Sequence, residues 1–167
     1  MYRTLCMLVW LLLINSIHLF AQETIMYQTD QFSFNYSDQW QLTESDSEIA
    51  LSQDEFTLRL LMGEPMSGLP AGEFTRTKFI GQYGLPVDEL IYEGKTKQVL
   101  YGLVETPDLS LTIVLDTQKT TIISSTTYED VEIPRSIIDE ASHIVSSLSF
   151  TNVDPREVTV TPFFDGT

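Results

Sequence analysis

The sequence predicts an α+β fold: an antiparallel β-sheet flanked by helices. Three observations carry that expectation. Apolar and polar residues alternate with a period of two over short stretches, as at Phe32, Phe34 and Tyr36, the mark of half-buried strands. Turn-forming residues separate several of these stretches by only a few positions, whereas a parallel crossover needs a dozen residues or more. Near the C-terminal end, one stretch from Pro134 to Leu148 switches to helical spacing. With 167 residues, 43% of them hydrophobic and 11% aromatic, the chain has the content of one globular domain. Collagen, coiled coil and wholesale disorder are excluded.

The N-terminal segment stands apart from this pattern. Met1-Tyr2-Arg3 supplies one positive charge, and the run from Leu5 to Phe20 is apolar but for Asn15, Ser16 and His18 near its end. A basic start, a short apolar core and a polar end mark a secretory signal peptide, with the cut expected after Ala21 and before Gln22. An uncleaved membrane anchor is the alternative, but the run falls short of the roughly 20 apolar residues of a spanning helix. The expected organisation is a signal peptide over 1–21, a single domain over 22–150 and a C-terminal tail over 151–167. The mature protein is expected in the periplasm or outside the cell. The one cysteine, Cys6, lies in the signal segment, so the mature domain has no thiol nucleophile, disulfide or thiolate ligand.

Within the mature part, Glu23 to Asp30 reads as a polar lead-in with one apolar stretch, Ile25-Met26-Tyr27. Phe32 to Tyr36 is the first strand, Ser37-Asp38-Gln39 a turn, and Trp40 and Leu42 resume the alternation. Glu48 to Leu51 and Phe56 to Met62 read as strands about the Gln53-Asp54-Glu55 turn. Gly63 to Gly72, with two prolines and three glycines, is a loop. Glu73 to Tyr83 is expected as a short helix with Phe79, Ile80 and Tyr83 as its stripe. Leu90 to Thr96, Gln98 to Glu105, Leu109 to Leu115 and Thr120 to Thr127 read as strands, with turns at Thr106-Pro107-Asp108 and at Asp116 to Lys119. Pro134 opens the C-terminal helix, where its missing N–H costs nothing. Ile137, Ile138, Ala141, Ile144, Val145 and Leu148 share one arc of its wheel; Asp139, Glu140, His143 and Ser146 lie outside it. In the tail, Val158, Val160, Phe163 and Phe164 are candidates to dock on the core.

Two segments at opposite ends of the domain carry a family resemblance. "FSFNYSDQW", Phe32 to Trp40, resembles the opening F-x-I-x-Y-P-x-x-W segment of PsbP-like domains, with Ser37 where those domains carry proline. "SHIVSSLSF", Ser142 to Phe150, resembles their closing helix, which ends in I-x-x-S-L-x-F. The resemblance spans about residues 30–150. It implies a central antiparallel sheet flanked by helices, a fold shared with a Ran-binding nuclear-import release factor. The family includes extrinsic subunits of photosystem II and many exported bacterial proteins. It therefore bears on fold rather than activity.

Charge narrows the partners. Nine Lys and Arg against 24 Asp and Glu give a formal charge of −15, and loss of the signal leaves about −16. Such a surface repels phosphate backbones, which argues against nucleic acid, and it favours basic or cationic partners. No membrane span is expected after signal removal. His143 is the only histidine left in the mature chain, and the wheel places it on the solvent face, where a catalytic base is not expected. No Gly-x-Ser-x-Gly elbow, Ser-x-x-Lys motif or Gly-x-Gly-x-x-Gly phosphate loop is present. No catalytic or cofactor-binding residue is assigned, and no cofactor is expected.

Carboxylates cluster at Glu44, Asp46 and Glu48, at Asp54-Glu55 and at Glu129-Asp130. They read as a solvated acidic surface. The Asp-x-Asp-x-Asp-Gly calcium loop is absent, which leaves the question of a metal open. Asn35-Tyr36-Ser37 matches a glycosylation sequon inside an expected strand. Trp40, Phe74, Tyr83 and Tyr92 are the aromatics available to a ligand groove, against a packing role for Trp40 at the end of its strand. The leading expectation is an exported, non-enzymatic domain that binds a protein or envelope component through its sheet or loops. A small-ligand or calcium-binding protein is the alternative, followed by a hydrolase built on paired carboxylates.

Overall fold

The computed structural model describes residues 23–63, 72–117 and 131–164. Over these residues the protein is mainly β, with eleven strands in two antiparallel sheets and one α-helix. The smaller sheet has the order β1 (Thr24–Gln28), β2 (Phe32–Ser37), β10 (Ser149–Phe150). The larger runs β3 (Gln41–Ser45), β4 (Glu48–Gln53), β5 (Phe56–Met62), β9 (Leu109–Thr117), β8 (Lys95–Thr106), β7 (Leu85–Tyr92), β6 (Glu73–Ile80). A short strand from the tail, β11 (Thr159–Thr161), also pairs with β8. The helix α1 spans Arg135–Ser146.

This architecture overturns the expected α+β sheet flanked by helices. The segment expected as a helix, Glu73 to Tyr83, instead forms β6. It pairs with β7 from Glu73 opposite Ile91 to Ile80 opposite Leu85, with a register shift between Arg76 and Lys78. Thr75 and Thr77 are β-branched and suit a strand; of the expected stripe, Ile80 and Tyr83 pack against the core while Phe79 is left 62% exposed. A ladder to β7 outweighed a loose helical spacing.

Other boundaries shift for local reasons. The expected strand Leu90 to Thr96 straddles a hairpin turn, where Glu93 and Gly94 have φ of 52° and 75°. Two successive left-handed residues are the signature of the tight turn that matches strand twist. Asp116 and Thr117 continue β9 rather than turning. The apolar stretch Ile25-Met26-Tyr27 forms most of β1, and the expected helix Pro134 to Leu148 holds as Arg135–Ser146 with Pro134 as its N-cap. The segment 1–21, most of the loop between Gly63 and Gly72, the expected strand Thr120 to Thr127 and the pair Glu129-Asp130 lie outside the described residues.

One core joins the elements. Ile49, Leu51, Leu58, Leu60, Ile113 and Leu115 face it from the large sheet, and Phe32, Phe34 and Trp40 close it from the β2 side. The helix adds Ile137, Ile138, Ala141, Ile144 and Val145, the arc its periodicity predicted. The opposite face of the large sheet is buried too. Leu90, Leu100 and Val114 have no exposed surface, and neither do Asp88, Thr112 and Asp116. Strands expected as half-buried are thus buried on both sides at the centre of the sheet.

Strand β8 changes partner along one edge. β7 pairs with it as far as Asp88 opposite Leu100, and β11 takes over at Leu103 to Glu105. Pro86, near the start of β7, lacks the N–H a ladder needs. Between the two stretches Gly102 has a φ of +90°, and a Cβ there would stand 3.0 Å from the Thr161 carbonyl oxygen.

Candidate functional site

Two concave surfaces gather polar side chains. The first lies between β2 and α1, and its shape depends on how the helix is fixed. At the helix start, Arg135 donates to both oxygens of the buried Glu89, at 2.6 and 3.0 Å, and Thr96 Oγ1 donates to Glu89 at 3.1 Å. Halfway along, the Tyr101 hydroxyl meets Ser142 Oγ at 3.3 Å inside the core. Just past the helix end, the Asn35 N–H of β2 donates to Ser147 Oγ at 2.8 Å. Strand and helix are therefore pinned at a fixed distance.

The cleft that remains has a volume of about 240 Å³. Thr24, Asn35, Tyr36 and Ser37 line it from the strands, with Trp40 just beyond; Glu140, His143 and Ile144 line it from the helix. The Trp40 indole is buried, and its Nε1–H donates to Glu140 Oε2 at 3.2 Å. That bond holds the carboxylate in place and leaves its second oxygen available. Ser37 Oγ is buried with no hydrogen-bond partner, a position natural proteins rarely leave unfilled.

The second surface is a groove of about 400 Å³ on the outward face of β3, β4 and β5, with Thr43, Glu44, Glu48, Ser52, Thr57 and Arg59 among its lining. Arg59 Nη1 stands 2.5 Å from Glu48 Oε1, and Arg59 Nε is 3.4 Å from either oxygen of Asp116. Asp116 has no exposed surface, and its Oδ2 has no hydrogen-bond partner. Burial pushes the Asp116 carboxyl up to about 7; Arg59 opposes the shift and Glu48 adds to it. Low dielectric penalises the charged form more than a guanidinium at the long end of hydrogen-bond range restores.

The residues singled out in the sequence divide between these surfaces. Trp40, the sequon Asn35-Tyr36-Ser37 and His143 meet in the first, where His143 is exposed as its wheel position predicted. Glu44 and Glu48 meet in the second, with Asp46 exposed in the β3–β4 turn and Asp54 and Glu55 in the β4–β5 turn. The four aromatics do not share a groove. Phe74 stacks on Phe164 at 5.7 Å, Tyr83 packs on Phe150 at 5.4 Å, and neither they nor Tyr92 line either concavity. Sequence reasoning missed Glu140 as the partner of Trp40 and missed Arg59 and Asp116 altogether. The pairs are separated by 100 and 57 residues, and no local spacing announces them.

Among the described residues no group of three His, Cys, Asp or Glu side chains is placed to hold a metal ion. No helix among them is long and apolar enough to cross a membrane. Comparison with family models, with curated proteins and with solved structures finds no match.

Proposed function

We propose that this is an exported, non-enzymatic domain that binds a protein or envelope component along the outer edge of its large sheet. The observation that carries the reading is the position of β3. It ends the pairing order of that sheet among the described residues, and all its residues but Leu42 are exposed. An edge strand presents unpaired N–H and C=O groups, to which an extended segment adds as a further strand. The acid-bearing groove runs beside this edge, with Glu44 and Asp46 exposed. Main-chain pairing supplies the affinity, and the carboxylates select a segment that carries Lys or Arg. The net charge of −15 adds long-range attraction for a basic partner and keeps copies of this chain apart.

The test is affinity capture from the envelope fraction of the source organism at low and high salt, with the parent and Glu44→Lys, beside a broad hydrolase panel. A partner captured at low salt, released at high salt and lost with Glu44→Lys supports the reading. Turnover abolished by replacing Glu44 or Asp54, with no salt-sensitive capture, establishes a carboxylate hydrolase instead.

A further inference from the structure

The cleft between β2 and α1 lies apart from the β3 edge and has its own chemistry. We propose that it binds an alkylammonium group, with Glu140 as counter-ion. Glu140 is oriented by Trp40 Nε1 at 3.2 Å, and this is its one hydrogen bond among the described residues. The second carboxylate oxygen is therefore free to accept from a cation. An ammonium group brings three donors and no acceptor, which matches a carboxylate oxygen that only accepts.

The remaining wall suits the alkyl part. Ile144 and Tyr36 line the same 240 Å³, enough for a chain of four or five carbons. Other ligand classes fit less well. An anion meets Glu140 and a chain of charge −15. A divalent metal finds one carboxylate and one imidazole here, fewer ligands than such ions take from a protein site. The ammonium has two natural sources, a free amine or a lysine side chain of a protein.

The experiment follows the Trp40 indole N–H resonance by NMR, because that proton is bonded to the proposed counter-ion. n-Butylammonium and an acetylated Gly-Lys-Gly tripeptide are titrated separately, with n-butanol and acetate as controls. A saturable shift with n-butylammonium, absent for both controls, is expected. Glu140→Gln keeps an acceptor for Trp40 and should weaken binding at least tenfold, and Glu44→Lys should leave it unchanged. A matching response to the tripeptide identifies protein lysine as the source; a response to the small amine alone identifies a free amine. Absence of any saturable shift, or an equal response from Glu140→Gln, overturns the site. That result leaves the β3 reading standing, since capture there depends on Glu44.

Discussion

Asp116→Asn should stabilise the protein above pH 7 and change little near pH 4. The parent carboxyl is fully buried, with Arg59 Nε no closer than 3.4 Å, and its pKa is raised from 3.8 to about 7. A shift of about three pH units corresponds to roughly 4 kcal/mol between its two protonation states. Because the folded pKa lies above the unfolded one, the contribution of Asp116 to stability is fully present below about pH 3.8. It is lost as the pH rises through about 7. Asparagine keeps the shape, carries no charge and forfeits one long ion pair, while Arg59 retains Glu48 at 2.5 Å. The net gain at pH 8 should be about 2–4 kcal/mol. Urea unfolding of both proteins from pH 4 to 8 measures it, and taking the difference cancels the other carboxylates. A flat difference, or a variant less stable than the parent at pH 8, refutes the claim that this charge is poorly compensated.

Further substitutions probe the fold. Gly102→Ala forces a Cβ to 3.0 Å from the Thr161 carbonyl at a φ of +90°; thermal denaturation should show a loss of about 1–3 kcal/mol, and amide exchange of Thr159 to Thr161 should speed up. Tyr101→Phe strands the buried Ser142 hydroxyl at a cost of about 1–2 kcal/mol, and adding Ser142→Ala should recover part of it in a double-mutant cycle. Ile144→Asp places an unpaired carboxylate in the helix face that meets the core, a penalty on the order of a typical stability margin of about 5–15 kcal/mol. It should abolish cooperative unfolding, while His143→Ala stays within about 0.5 kcal/mol of the parent.

What could be read from the sequence was local, and what could not was pairing. The alternation at Phe32 to Tyr36, the strand Phe56 to Met62 and the helix face from Ile137 to Val145 follow from the spacing of apolar residues, and the structure places them as expected. Glu73 to Tyr83 departs from a helix because Phe79 is exposed and Glu73 to Ile80 gains a full antiparallel ladder to β7, a pairing that no helical spacing encodes. Glu93-Gly94 carries a turn signal inside an apolar run, and the chain turns there. Tail residues settled where β7 leaves an edge of β8 open, which depends on a bulge at Gly102. The clefts were least legible. Trp40 and His143 were visible one at a time, but Glu140 gains its meaning only when α1 docks beside β2, and Arg59 only when β9 brings Asp116 alongside β5.

Amide hydrogen exchange across β3 tests the central claim most directly. The protein is measured at low salt, alone and with an extended probe peptide of alternating Lys and Val. Added strand pairing should slow exchange at alternate amides of Gln41–Ser45, with no comparable protection at β6, the other end of the large sheet. The protection should fade as salt rises above roughly 0.1 M and vanish in Glu44→Lys. Protection confined to β6 or to the small sheet, or protection at β3 that is indifferent to salt and to Glu44→Lys, contradicts the account.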